Sequence, residues 1–331
     1  MELRRLGYSD LYLTTVGLGA WTFGGGGWRG GFGPQEDADS IATIHCALDL
    51  GVNWIDTGPY YGLGHADEVV GRAIADRRDK VIIASKCGSV WDEGSTVVRE
   101  VLKADSVRKE AEASLRRLGV DVIDLYQIHW PEPAEDIEEA WGVIGDLIRE
   151  GKVRYGGVSN FNVDQHKRLQ AMHPIASSQP AYCMLLREIE KDLLPFCYEN
   201  KIGVIVYWAL MAGLLSGKFT KERASSLGDD DWRQGRYYFT EPALGATLSL
   251  VEGLRRIADR NGRTVAQLSI AWVLRRPEVT GAILGARRPS QIQETIAAAD
   301  WNLSDEDLAE IELLLEERKR RLPADWVDYR D

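Results

Sequence analysis

Four polar residues, Asp56, Tyr61, Lys86 and His129, stand at or just past the carboxyl ends of three successive apolar runs. Asp56 closes Val52-Asn53-Trp54-Ile55, and Tyr61 follows in the loop Asp56-Thr57-Gly58-Pro59-Tyr60-Tyr61-Gly62. Lys86 ends Val81-Ile82-Ile83-Ala84-Ser85, and His129 ends the run Val122 to Ile128. An acid, a phenol, an ammonium and an imidazole can move a proton if they meet. They do meet when strand carboxyl ends converge on one mouth of a βα-repeat barrel. Taken singly, each has a plainer reading. Asp56 could cap a helix through Thr57, and Lys86 could be solvated. Tyr61 could be packing, with Tyr60 as a rival phenol, and His129 could satisfy a backbone carbonyl. Jointly, the four favour proton chemistry.

Such a mouth needs elements to position it, and the chain supplies them. A small hairpin is expected to turn at Gly7-Tyr8-Ser9-Asp10, followed by a strand ending near Gly19. A helix is expected from about Glu36 to Leu50, stopped by Gly51. Further strands are expected near 52–56, 81–85, 122–128, 153–158, 175–179, 202–207 and 280–284. Amphipathic stretches lie between them near 66–76, 105–118, 135–149, 162–171, 187–200 and 289–299. Eight βα units predict an α/β fold: a (β/α)8 TIM barrel with an N-terminal β-hairpin and extra C-terminal helices. The length suits one domain over residues 1–331. The connection 208–263 should carry extra helices and a loop over the mouth. The tail 304–318 should be helical, with Ser304 as N-cap and an acidic first turn.

Composition excludes several functions. A formal net charge of -11 argues against nucleic-acid or anionic-membrane partners, which need a basic face, although a local basic pocket is allowed. Cys46, Cys87, Cys183 and Cys197 include no tight metal spacing and read as reduced thiols of a cytoplasmic protein. No signal peptide or membrane-length apolar run is expected. No paired-carboxylate or metal-ligand cluster supports a barrel hydrolase, so no metal is expected.

Gly25, Gly27 and Gly30 satisfy the dinucleotide pattern G-x-G-x-x-G, with Asp49 downstream. The context fails, because Trp28-Arg29-Gly30-Gly31-Phe32-Gly33-Pro34 cannot open a helix directly. A flexible loop over the mouth is expected instead. Trp21, Phe23 and Trp28 could line an apolar substrate wall there or simply pin the loop.

Eight segments carry a wider likeness: GLGAWTFGG (17–25), DTGPYYGLGHADEVVG (56–71), ASKCG (84–88), DLYQIHWP (124–131), GVSNF (157–161), SQPAYCMLLRE (178–188), YWALMAGLLSGKF (207–219) and GAILGARRPSQIQE (281–294). Together they resemble the aldo-keto reductase family over essentially the whole chain. The resemblance implies a (β/α)8 barrel that reduces carbonyls with a nicotinamide cofactor, usually the phosphorylated form, NADP(H). Tyr61 would be the general acid, since the family spacing of five residues after the aspartate selects it over Tyr60. Lys86 would lower the pKa of that phenol, Asp56 would hold Lys86, and His129 would orient the carbonyl.

The resemblance also implies a cofactor site. Ser159, Asn160 and Gln179 match the carboxamide contacts, and Tyr207 the ring that stacks on nicotinamide. Leu210, Gly213 and Lys218 match the pyrophosphate segment, with Arg233 as a clamp from the long loop. Gly285, Arg287, Gln291, Glu294 and Thr295 would surround the adenosine end, and Trp21 and Asp56 would add to the wall. Arg287, rather than the adjacent Arg288, would select the phosphorylated form; both could also be solvated, and Gly285 an ordinary turn. Trp208 and Ala209 depart from the family, which commonly has a small polar residue and a proline there. Leu284 replaces a common proline, and Thr295 stands where an asparagine often binds adenine. Trp208 is expected over the cofactor. The implied partner is a small-molecule carbonyl or alcohol. The alternative is a regulatory barrel similar to potassium-channel β subunits, which resemble one another in carrying asparagine where this chain has His129. On the reductase reading, the chain would lack their long amino-terminal extension.

Overall fold

The structure, a computed structural model, describes residues 1–326; the final residues of the expected 1–331 domain lie outside the described residues. Eight parallel strands close into a barrel. In chain order they are β1 (Val16–Gly19), β2 (Trp54–Asp56), β3 (Ile82–Cys87), β4 (Ile123–Ile128), β5 (Val153–Ser159), β6 (Ser177–Gln179), β7 (Gly203–Val206) and β8 (Val279–Gly285). Each pairs with its sequence neighbours, and β8 closes on β1 with Gly285 opposite Gly19. The strands are buried on both faces along most of their length, as a helix-wrapped barrel requires.

The amino-terminal hairpin, Leu3–Arg5 against Tyr12–Thr14, covers the end of the barrel away from the mouth. Its Leu6, Leu11 and Leu13 are buried against Trp54, Leu125 and Ile205. Trp54 lies across Gly17, where a Cβ would come within 2.1 Å of the indole. That contact fills the barrel floor.

Two elements escaped the periodicity. The helix Val265–Leu274 is buried at every position, so it has no polar face to reveal a 3.6-residue period. A two-stranded ribbon, Ser89–Trp91 with Val98–Glu100, stands in the loop after β3. The connection after β7 does carry extra helices, Lys221–Ser225 and Ala243–Arg260. The tail helix Asp305–Arg320 packs on the latter, and Ser304 Oγ caps it by accepting from the Asp307 amide at 3.1 Å. Among the described residues no helix is long and apolar enough to cross a membrane, and no cluster could hold a metal ion.

Candidate active site

Register places the chemistry. Asp56 ends β2 between Gly19 of β1 and Ala84 of β3. Lys86 lies farther along β3 beside Gln127, and His129 follows β4. Lys86 is fully buried, and its Nζ donates to Asp56 Oδ1 at 2.6 Å and to the Thr57 carbonyl at 2.9 Å. Gln179 Nε2 donates to the other Asp56 oxygen at 2.8 Å. Both carboxylate oxygens are thereby used inside the barrel, so Asp56 is not a helix cap and Lys86 is not a solvated charge.

The loop that carries Tyr61 is clamped from two sides. Thr57 donates to the buried Asp67 at 2.8 Å, and Ser114 and Arg117 also donate to that carboxylate. On the other side Gly62, with φ 64°, meets Gly24; a Cβ on Gly62 would lie 2.4 Å from the Gly24 carbonyl oxygen. Only glycine fits this approach. Tyr61 is therefore held with its ring 5.0 Å from Lys86 Nζ and 6.0 Å from the His129 ring. His129 Nδ1 is buried with no hydrogen-bond partner among the described residues.

Protonation states follow from the packing. Burial, reinforced by the Asp56 charge, pushes the Tyr61 phenol well above its ordinary value. The net direction is therefore upward, the reverse of what the nearby Lys86 charge alone would give. The ammonium is committed to Asp56 and Thr57 and faces the ring, and Asp56 opposes its effect on the hydroxyl. The Tyr61 phenol is thus held neutral. Burial, with help from Lys86, holds His129 well below the usual imidazole range, so its ring is neutral. A neutral phenol and a neutral imidazole facing one space can donate a proton and a hydrogen bond to the same acceptor.

That space is a cavity of about 450 Å³, within the range of small-molecule sites. Every residue singled out above for cofactor contact lines it, as do Tyr61 and His129, while Lys86 lies outside its wall. Asn160 adopts φ 66°, a left-handed conformation that asparagine tolerates better than most residues. From there its Nδ2 donates to the His129 carbonyl at 3.0 Å, and its Oδ1 accepts from the Tyr207 hydroxyl at 2.7 Å. Ser159 Oγ donates to the Gln179 carbonyl at 2.9 Å. Just past β7, Trp208, Met211 and Ala212 all have positive φ. Such strain in non-glycine residues clusters at binding sites.

The far end of the cavity is charged, and its groups are engaged in ways the sequence did not reveal. Lys218 pairs with Glu294. Arg233 pairs with Asp231 at 2.5 Å and donates to the Ala212 carbonyl at 3.1 Å. Arg287 donates to Gln35 at 2.8 Å and to the carbonyls of Phe32, at 3.1 Å, and Pro34. Arg287 is thus not a solvated charge; it pins the glycine-rich loop. The Gln291 side chain accepts from the Arg287 amide at 2.6 Å, and the Thr295 hydroxyl donates back to the Gln291 carbonyl at 3.0 Å.

The glycine-rich loop also bridges to the long connection, through the Phe32–Asp231 pairing and a bond from the Trp232 amide to the Gly31 carbonyl at 3.0 Å. Its aromatics divide their roles. Trp21 lines the cavity, whereas Phe23 and Trp28 are buried outside it. Trp28 donates to the Gly25 carbonyl at 2.9 Å and packs edge-on against Tyr60. Trp21 begins a stack that continues through Trp232 to Trp208, with centroids 5.7 and 5.9 Å apart. Sequence reading missed Phe219 and Arg223, which line the cavity, and Trp232, which stacks between the lining residues Trp21 and Trp208. All three sit in or beside the irregular 208–263 connection, where no periodic signal marks a site-facing residue.

Comparison with known proteins agrees with this geometry. The family model described as the aldo/keto reductase family matches residues 15–316. The aldo-keto reductase YhdN of Bacillus subtilis is 38% identical over 96% of this chain and 94% of its own length. An NADH-specific methylglyoxal reductase of Escherichia coli is 33% identical over 91% and 94%. A probable voltage-gated potassium channel subunit beta of Arabidopsis thaliana is 32% identical over 91% and 92%. Among solved structures, a glycerol dehydrogenase from Gluconobacter oxydans superposes with a TM-score of 0.87 at 36% identity, covering 98% of this chain and 97% of that one. With its closed eight-stranded barrel and a family match spanning nearly its whole length, this chain belongs to the aldo/keto reductase family.

Proposed function

We propose that the chain, acting as a single barrel domain, reversibly reduces an aldehyde, ketone or sugar carbonyl to the alcohol with a nicotinamide cofactor, preferring NADP(H). One observation carries the reading: the buried Asp56–Lys86 pair set against Tyr61, with the His129 ring edge-on to the phenol 6.0 Å away. The cavity's donor set fits the cofactor. One end offers the flat Tyr207 ring with Ser159, Asn160 and Gln179 beside it, and the other offers cations. Gly213, with φ 100°, keeps the backbone bare where a Cβ would lie 3.7 Å from Arg233. When bound, the nicotinamide supplies hydride to the carbonyl carbon. Tyr61 gives its proton to the carbonyl oxygen, and neutral His129 donates a hydrogen bond that orients it. Lys86 stabilises the charge that develops on the phenol oxygen, and Asp56 and Gln179 fix Lys86.

A panel of aldehydes, ketones and polyols with NADPH and NADH, read by cofactor absorbance, tests the reading. The expected result is carbonyl-dependent cofactor oxidation, faster at limiting cofactor with NADPH. Tight cofactor binding with no turnover on any carbonyl would instead favour a regulatory barrel.

Trp208 gives a further expected outcome. Its stack on Trp232 braces the bridge over the cavity, and such a pair contributes about 0.5–1.5 kcal/mol. Trp208→Ser should therefore speed cofactor dissociation roughly 2- to 10-fold in stopped-flow fluorescence. An unchanged off-rate would show that the stack does not restrain the cofactor.

A further inference from the structure

We propose that Asp67, held by Arg117, is a positioning residue for the reaction: through the Thr57 hydroxyl it fixes the backbone carbonyl that seats the Lys86 ammonium against Tyr61. This rests on the function proposed above. Asp67 lies in the first turn of the helix His65–Ile74 and does not line the cavity. It is nonetheless fully buried, as are Thr57 and Ser114. Its Oδ1 accepts from Thr57 Oγ1 at 2.8 Å. Its Oδ2 accepts from Ser114 Oγ at 3.2 Å and from Arg117 Nη2 at 3.3 Å. Each of these partners is a donor, which is what a buried carboxylate needs in order to stay ionised. Burial pushes the Asp67 carboxyl above its ordinary value, and the Arg117 charge leads the influences that oppose this.

Thr57 joins this cluster to the chemistry. Its side chain is bound to Asp67, its carbonyl accepts from Lys86 Nζ at 2.9 Å, and its amide donates to the Ala84 carbonyl at 2.8 Å. A residue tied through all three groups cannot turn without breaking one of these bonds. The far end of the Tyr61 loop is held by the same arginine. At Gly64, with φ 98°, a Cβ would lie 3.0 Å from Arg117 Cδ, so a bare backbone lets the guanidinium cross to Asp67. The helices His65–Ile74 and Ala104–Leu118 also meet closely at Gly71, where a Cβ would lie 2.6 Å from the Leu118 carbonyl oxygen. Asp67 and Arg117 thus pin the loop at both ends, with Tyr61 between them. A carboxylate–arginine pair could serve only to join two helices; the shared Thr57 is what gives this one a second task. Charge acts in the same sense, since burial lowers the Lys86 pKa and Asp56, then Asp67, oppose that fall.

Steady-state carbonyl reduction on coupled variants tests this, with a thermal melt of each to show that it is folded at the assay temperature. Thr57→Val deletes the hydroxyl and keeps the shape. It should lower turnover roughly tenfold, near the low end for a hydrogen bond to a charged group. The carbonyl KM and the cofactor affinity should stay within about twofold, because the loss falls on the transition state. Thr57→Ser, which keeps the hydroxyl, should recover most of that loss. Asp67→Asn, of the same shape without the charge, should lose at least as much as Thr57→Val. The double variant should lose no more than the worse single one, since both act on one bond. In the Lys86→Met background, where no ammonium remains to be seated, Thr57→Val and Asp67→Asn should each change the residual turnover by less than about twofold. A cluster that only joins helices would lower the melting temperature and spare turnover, or would lower turnover by the same factor with and without Lys86. Either result would overturn the inference while leaving the proposed function standing. An unmodified protein that binds cofactor but reduces no carbonyl would overturn the function, and this inference with it.

Discussion

Tyr61→Phe is expected to lower the turnover number by about 10²–10⁴, the usual contribution of a positioned general acid, while leaving cofactor affinity unchanged. The substitution removes one oxygen from a ring already fixed by the Gly24–Gly62 clamp and by the loop's anchorage at Thr57, so packing should survive. The hydroxyl serves only the proton transfer, which makes the loss a transition-state loss. Tyr60 sits in the same cavity wall, 6.4 Å from the His129 ring. Near-normal turnover in Tyr61→Phe, with collapse in Tyr60→Phe, would transfer the role to Tyr60. The pH profile supplies a second reading. Burial and Asp56 hold the Tyr61 phenol above its ordinary value of 10.0, and burial holds His129 below 6.5. Between those pH values neither group should titrate, so carbonyl reduction should show no limb assignable to either.

Lys86→Met should have two separable effects. The Asp56–Lys86 pair is almost wholly excluded from water, and removing one partner of such a pair typically costs about 3–5 kcal/mol because the other charge is stranded. Asp56 would retain only the Gln179 bond. Turnover should also fall about 100-fold, equivalent to roughly two pK units of lost support for the developing phenolate. The double variant Asp56→Asn/Lys86→Met removes the stranded charge, so it should recover much of the stability but none of the turnover. Chemical denaturation and steady-state rates on the unmodified protein and these two variants measure both. Recovery of turnover together with stability would reduce Lys86 to a structural role.

The local signals in the sequence were strong where one strand decides one position. Asp56, Lys86 and His129 stand out because each polar residue interrupts an apolar run at a strand's carboxyl end, and parallel pairing then brings the ends together. The glycine-rich decoy was separable for a similar reason, since no helix begins until Asp37. What stayed hidden depends on contacts between distant loops. Nothing near Arg287 in sequence announces that it spends its donors on Gln35, Phe32 and Pro34. The Trp21–Trp232–Trp208 stack joins three separate segments with no shared period. Lys86 was expected to depress the phenol pKa because sequence places the cation nearby, but sequence does not show that burial and the Asp56 charge outweigh it. The helix Val265–Leu274 was invisible for the opposite reason, a surplus of apolar residues.

Isotope transfer tests the central claim most directly. The unmodified protein would be given NADPH deuterated at its transferable position together with the best carbonyl of the panel, and the product alcohol examined by mass spectrometry and proton resonance. The account predicts one deuterium on the carbinol carbon of each alcohol formed, with label transfer almost abolished in Tyr61→Phe although that variant still binds the cofactor. Alcohol formed without the label, or cofactor bound with no carbonyl reduced at all, would contradict it.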